Sequence, residues 1–186
     1  RNVGERNVFG FDYHVSAQLT PASVGFIDSV KLWGYYSFIY GRGEEIYDAD
    51  ADKWETADIG DLSTHRVLFG STGRFQVLRR ALTATVLGRY VGTRETVATN
   101  PIGEIDGYFT VDLFLLYDLH ERLGLSFKVT NLFDAKYDHP GLRSADSGQT
   151  PGSWGSTGAW QGSQGWYNSR MPQPGATAIF SLHARY

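Results

Sequence analysis

Phe9-Gly10-Phe11-Asp12-Tyr13-His14-Val15-Ser16-Ala17-Gln18-Leu19-Thr20 decides the fold. Phe9, Phe11, Tyr13, Val15, Ala17 and Leu19 fall on one side of an extended chain. Gly10, Asp12, His14, Ser16, Gln18 and Thr20 fall on the other. A helical period would scatter both sets around the axis, whereas a period of two separates them. The last stretch repeats the pattern: Ala176, Ala178, Phe180, Leu182, Ala184 and Tyr186 oppose Thr177, Ile179, Ser181, His183 and Arg185.

Weaker alternations lie between these two. Leu32, Tyr36, Phe38 and Tyr40 share a side, as do Val67, Phe69 and Phe75, opposed to Arg66, Thr72 and Arg74. Leu82, Ala84, Val86 and Tyr90 oppose Thr83, Thr85 and Arg89. Phe109, Val111, Leu113, Leu115 and Tyr117 oppose Thr110 and Asp112, and Leu123, Leu125, Phe127 and Val129 oppose Gly124, Ser126, Lys128 and Thr130. The expectation is seven strands, over about 8–20, 30–40, 65–75, 82–91, 108–118, 123–131 and 175–186, with no amphipathic helix. At roughly 9–13 residues they exceed the mean globular strand of about 5–6. They match the roughly 9–11 residues of a tilted strand crossing a bilayer.

The connections point the same way. Pro21 to Ser29, Gln76 to Ala81 and Leu119 to Arg122 are the shorter ones, and Gly41 to Thr64, Gly92 to Gly107 and Leu132 to Pro174 are the longer. Short and long alternate strictly, as they do where one end of a barrel carries tight turns and the other carries extended loops. Phe9, Tyr40, Tyr90, Tyr108, Tyr117, Tyr137 and Tyr186 stand near strand ends, where aromatic girdles are expected. The polar sides hold mainly Ser, Thr, Gly and Gln with isolated Arg and Lys, as in a wet lumen. A soluble β-sandwich, the competing all-β reading, usually sets charges on its solvent face.

Composition bounds the rest. The chain has 186 residues, a formal charge of −3, 15% aromatic residues and no cysteine. Disulfides, thiol chemistry and Cys-ligated metals are excluded. The charge does not suit a nucleic-acid binder, and no apolar run reaches the roughly 18–20 residues of a spanning helix. The chain opens Arg-Asn-Val-Gly-Glu-Arg without an initiating Met or signal peptide and ends within an alternating stretch. It therefore reads as a mature chain or as the C-terminal part of a longer one.

Val129-Thr130-Asn131-Leu132-Phe133-Asp134-Ala135-Lys136-Tyr137 resembles the N-L-F-D-x-x-Y segment of TonB-dependent outer-membrane receptors. Leu87-Gly88-Arg89-Tyr90-Val91-Gly92, Ile105 to Asp112, and Pro172-Gln173-Pro174-Gly175 add to the likeness, which covers essentially the whole chain. Ala176 departs from it, since family members often carry Arg there. The resemblance implies an all-β, antiparallel transmembrane barrel segment: about seven strands of a plugged barrel of roughly 22. The plug and the TonB-binding segment are not in this sequence. An odd count of strands cannot close by itself in a bacterial single-chain barrel. The chain is thus expected to be part of a longer receptor or to complete a barrel with another chain.

The implied function is active uptake of a scarce, bulky nutrient at the cell outer membrane. A siderophore-type iron chelate is the commonest ligand class, and carbohydrate remains open. The implied partners are the TonB energy-transducing system, the barrel assembly machinery, the lipid bilayer with lipopolysaccharide, and the remaining strands and plug. No nucleic acid, cofactor, metal or enzymatic activity is indicated. Alternatives are a barrel-completing subunit without transport of its own, or a soluble sandwich that binds carbohydrate.

Within the last connection, Trp154, Trp160, Trp166 and Tyr167 stand among Gly, Ser and Gln, a setting suited to stacking on ligand rings. Arg143 and Arg170 could meet an anionic group, although lone loop arginines are usually solvated. A loop that packs its own tryptophans together is the plainer reading. Phe180, Leu182 and Tyr186 match the carboxy-terminal alternation that barrel assembly machinery reads. Asp48-Ala49-Asp50-Ala51-Asp52 begins like a calcium loop, but Lys53 stands where Gly is needed and Ile59 where Glu is needed. His14, His65, His120, His139 and His183 show no paired metal-binding spacing, and no nucleophile-elbow motif appears.

Overall fold

The computed structural model describes residues 3–20, 25–48, 52–57, 59–60, 62–96, 102–141, 153–154, 160–161 and 170–184. Among them there is no helix. The principal strands are β1 (Val3–Leu19), β2 (Ile27–Asp48), β4 (His65–Val77), β5 (Arg80–Val91), β8 (Tyr108–His120), β9 (Leu123–Thr130) and β14 (Thr177–Ala184). Shorter ones are β3 (Lys53–Ala57), β6 (Arg94–Glu95), β7 (Glu104–Ile105), β10 (Asp138–Pro140), β11 (Ser153–Trp154), β12 (Trp160–Gln161) and β13 (Arg170–Pro172).

The principal strands form one antiparallel meander in the order β1-β2-β4-β5-β8-β9-β14. It does not close: β1 and β14 are its two edges, and they do not pair with each other. Each of the seven expected strands has its counterpart. The main correction concerns Gly41 to Thr64, expected as a loop. There β2 runs on to Asp48, and β3 returns beside it. The phase of alternation changes at a bulge, because Gly10 pairs with Ile39 but Phe9 pairs with Gly41, leaving Tyr40 extra. The other two long connections also contain paired backbone: β6 with β7, β10 with β13, and β11 with β12.

Since every strand pairs with its neighbours in sequence, successive connections fall at opposite ends. Thr20 to Phe26, Leu78-Arg79 and Glu121-Arg122 share the short end; the long connections share the other. Leu78 and Arg79 have φ of 51° and 64°, and Val77 faces Arg80 across them. Two left-handed residues match the twist of a two-residue hairpin. With neither position a glycine, the turn costs about 1–2 kcal/mol per residue.

Register converts alternation into faces. On one face, lateral rows run Tyr13–Tyr36–Val67–Tyr90–Phe109 and Val15–Gly34–Phe69–Gly88–Val111. Further rows run Leu32–Ser71–Val86–Leu113–Val129–Ala178 and Val30–Gly73–Ala84–Leu115–Phe127–Phe180. No Asp, Glu, Lys or Arg interrupts these rows. At about 4.8 Å between strands and 3.3 Å per residue, the apolar field covers on the order of 800 Å². Soluble monomers rarely leave that much uncovered. Here it is uncovered among the described residues, with Phe9 55% and Phe180 66% exposed. Among the described residues no second layer packs on it, as a sandwich requires.

Glycine makes room for rings on both faces. A Cβ on Gly88 would strike the Phe69 ring on the apolar face, and one on Gly70 would strike the Trp33 indole on the polar face. Each pair is directly cross-strand, so the ring lies down over its partner's bare backbone.

Of the residues expected in apolar girdles, Phe9, Tyr40, Tyr90 and Tyr117 do lie on the apolar face. Tyr108 does not. It shares the polar-face row Asp12–Ser37–Arg66–Val91–Tyr108, and Tyr137 stacks on it. Tyr186 lies outside the described residues.

Candidate functional site

The polar face is concave toward its long-loop end and holds a hollow of about 760 Å³. Its floor comes from adjacent rows, the one ending at Tyr108 and the next, His14–Tyr35–Leu68–Arg89–Thr110. Arg66 faces Val91, so Arg89 is its diagonal neighbour on the same face. Both side chains are exposed. Arg94 adds a third cation to the lining, and Asp12 is its one carboxylate among the described residues.

Arg94 is the joint of the long-loop end. Its backbone bridges Ser63 in the connection between β2 and β4 and pairs with Ile105 in β7. Its Nη1 meets His139 Nδ1 at 3.0 Å, and its Nη2 donates to the Asp138 carbonyl at 2.6 Å, both in the connection between β9 and β14. All three long connections therefore converge on one residue that is 3% exposed, two through its backbone and one through its side chain. The guanidinium lies 5.5 Å from the Tyr108 ring centroid, a cation–π placement. Tyr108 in turn stacks on Tyr137 at 4.1 Å. Burial, with help from Tyr108, pushes the Tyr137 phenol above its ordinary range, while Arg89 and Arg94 pull it back. It is a neutral donor at physiological pH.

Nearby ties hold this end in shape. Arg42 bonds the Leu62 carbonyl and pairs with Glu95 at 2.9 Å, while Arg6 pairs with Glu44 at 2.9 Å. On the floor, His14 and Tyr35 stack in parallel at 4.3 Å and 13°. Flat rings thus stand on two sides of the arginines.

The N-L-F-D segment is a clamp rather than part of the hollow. Asn131, 5% exposed, takes a left-handed φ of 52° and turns the chain out of β9. Its amide donates to Asp112 Oδ1 at 2.8 Å, and its side chain both donates to the Ala135 carbonyl and accepts from the Ala135 amide, each at 2.9 Å. Asp134 then reaches across the last connection, where Oδ1 accepts the Ala176 amide at 2.9 Å. Its Oδ2 pairs with Lys136 at 2.8 Å. A Cβ at residue 175 would collide with Asp134 Oδ1, which explains the glycine there. The Lys136 hydrogen bond first, and the Ala176 amide second, hold the Asp134 carboxyl below the usual carboxylate range.

The sequence-expected ligand residues fare differently. The backbones of Trp154 and Trp160 pair in the β11–β12 ladder. Arg170 starts β13, opposite Pro140, and approaches Asp138 at 3.7 Å, so it is paired rather than simply solvated. Trp166, Tyr167 and Arg143 lie outside the described residues, as does most of the acidic stretch 48–52. Phe180 and Leu182 lie on the apolar face of β14, opposite Phe127 and Leu125. His183 lies on the polar face, its Nε2 2.9 Å from Ser126 Oγ. Among the described residues no cluster of His, Asp or Glu could hold a metal ion.

The hollow itself was not anticipated. Arg66 and Arg89 are separated by 23 positions in sequence and read there as isolated polar lining; only register makes them neighbours. Comparison with protein-family models, with curated proteins and with solved structures returns no match.

Proposed function

We propose that this chain is a stretch of barrel wall from a TonB-dependent outer-membrane receptor, with the apolar face toward lipid and the polar face toward the lumen. One observation carries the reading: an uninterrupted apolar field spans the sheet from β1 to β14, with all tight turns at one end and all long connections at the other. From Tyr90 to Leu82 on β5 the apolar row runs about 26 Å along the strand, comparable to the ~25 Å apolar band of outer-membrane barrels. Its aromatic ends fit headgroup girdles.

The open edges support a larger assembly. Unpaired backbone groups in lipid cost several kcal/mol each, so β1 and β14 must find further strands. In this reading the long connections face outward and capture ligand, a siderophore-type chelate, while the plug and TonB coupling lie outside the chain. Transport is driven by the difference in ligand affinity between plug conformations. Barrel assembly machinery engages β14 through Phe180 and Leu182.

Cysteine scanning tests the orientation. In intact outer membranes, cysteines replacing Phe11, Phe127 and Phe180 should resist water-borne maleimide, while those replacing Asp12, Lys128 and Ser181 should react. Equal reaction of both sets would remove the barrel reading.

A further inference from the structure

We propose that the β4–β5 turn, at the short end of the sheet, binds a phospholipid with a net-negative headgroup, its phosphate held by Arg80 and Arg79. The inference rests on the barrel reading, which turns the apolar face toward lipid, and adds the headgroup that this wall prefers.

Register places the first cation. Arg80 faces Val77 and stands two residues before Leu82, so it carries the parity of the apolar rows. The last long row at this end runs Ile27–Phe75–Leu82–Tyr117–Leu125–Leu182. Arg80 lies about 6.6 Å beyond that row along β5. Tyrosine at the end of an apolar band marks headgroup depth, so a guanidinium one step past Tyr117 stands among phosphates rather than acyl chains. The Tyr117 hydroxyl donates to the Val77 carbonyl at 3.3 Å, which ties the turn to that girdle.

The turn itself supplies the second. Leu78 and Arg79 both hold left-handed φ, where Asn-Gly would sit at little cost. The strained pair presents a leucine that is 86% exposed beside an exposed guanidinium. An exposed leucine alone is ordinary. Next to two arginines at a bilayer surface, it meets the acyl boundary while they meet phosphate. Among the described residues no carboxylate pairs with Arg79 or Arg80, whereas Arg74 at the same end is answered by Asp28 at 3.6 Å. The neighbouring tight turn, Glu121-Arg122, sums to no charge. This hairpin tip thus carries two adjacent cations without a counter-ion. A zwitterionic headgroup brings its own cation and forfeits most of the attraction, so the preference is for net negative charge.

The test reconstitutes the complete protein into vesicles and labels Val77→Cys, opposite Arg80, with bimane. Chain-spin-labelled phosphatidylglycerol or phosphatidylcholine serves as the quencher. In about 50 mM NaCl, half-quenching should need about fivefold less of the anionic lipid, and the gap should close toward about 500 mM. Arg80→Gln should bring the ratio below about twofold, and Arg79→Gln should lower it in part, with the unheated folded band unchanged. Should Arg80→Gln fold poorly, Arg79→Gln in the exposed turn carries the test alone. Three results overturn the proposal. They are equal quenching by both lipids, a ratio indifferent to every variant that folds, or loss of the preference on adding about 10 mM glycerol phosphate at matched ionic strength. The last would mark a site for soluble phosphate. Equal quenching removes only this inference, whereas no quenching by either lipid removes the barrel reading as well.

Discussion

The two faces of this sheet share one backbone and one register, yet they solve opposite problems. Moving one residue along any strand exchanges one solution for the other. At Val86 the side chain lies in the row of Leu32, Leu113 and Val129; at Thr85 it lies in the row of Thr72, Phe114 and Lys128, with Thr85 Oγ1 3.1 Å from Thr72 Oγ1. The difference shows that strand parity, rather than local composition, assigns charge. The apolar rows contain serine and glycine but no ion, while the polar rows tolerate Leu68, Leu87 and Phe114 beside arginine and lysine. Excluding charge is the strict rule within those apolar rows, with Arg80 sharing their parity only beside the short-end turn, and excluding grease from the other face is not.

The largest effect should come from breaking that strict rule. Val86→Arg sets a cation in the middle of the apolar field, at a cost of about 2–4 kcal/mol if the face meets lipid. Thr85→Arg, one position away, should cost well under half as much. The fraction of protein that runs as a folded band without heating reads both; equal losses would show that the faces do not differ in environment.

A middle-sized effect concerns the rings laid over glycine. Gly88→Ala first meets the Phe69 ring, which can swing outward from the apolar face. Gly70→Ala meets both the Trp33 indole and the Val86 carbonyl, and the backbone cannot yield. Gly70→Ala should therefore destabilise by about 1–3 kcal/mol and Gly88→Ala by visibly less, read as shifts of a urea midpoint. The reverse order would mean that the apolar face is the more tightly packed of the two.

The smallest effect belongs to neither face but to the clamp beyond their long-loop end. Asp134 is held below its ordinary value of about 3.9, so its folded carboxylate is favoured above that pH. Its contribution is present there and is lost as pH falls through the depressed value. Asp134→Asn should lower neutral stability slightly, since the site is solvent-exposed, and flatten the acid limb below about pH 4 so that the two curves converge at the acid end. An identical curve for the variant would show that the Lys136 pair adds nothing.

Much of this was legible in the residues themselves. Period-two alternation places all seven principal strands, because each has a face where apolar residues recur. The second half of β2 was hidden: the extra Tyr40 breaks the phase, and Gly41-Arg42-Gly43-Glu44-Glu45 has the composition of a turn. Those polar residues are held as strand by partners remote in sequence, with Arg6 on Glu44 and Glu95 on Arg42. The charged hollow was illegible for a related reason, since a diagonal contact depends on register, and register is settled by the whole sheet. Tyr108 misled because girdle membership was read from nearness to a strand end, whereas parity had already placed it with Thr110 and Asp112.

The reach of Asp134 to Ala176 also bears on how the last hairpin comes together. Joining the ends of a connection of roughly 40 residues costs on the order of 3 kcal/mol of chain entropy beyond the constant term. The clamp ties residues flanking β9 and β14 just where their ladder begins, at Thr130 opposite Thr177. Once it is made, each further rung from Val129–Ala178 to Leu123–Ala184 adds without closing another loop, so the final strand can zip from the clamp toward the short end. A carboxylate, an asparagine and a glycine thereby act as the slider of that zipper, and the long excursion between them can vary in length with little penalty to the strand it delivers.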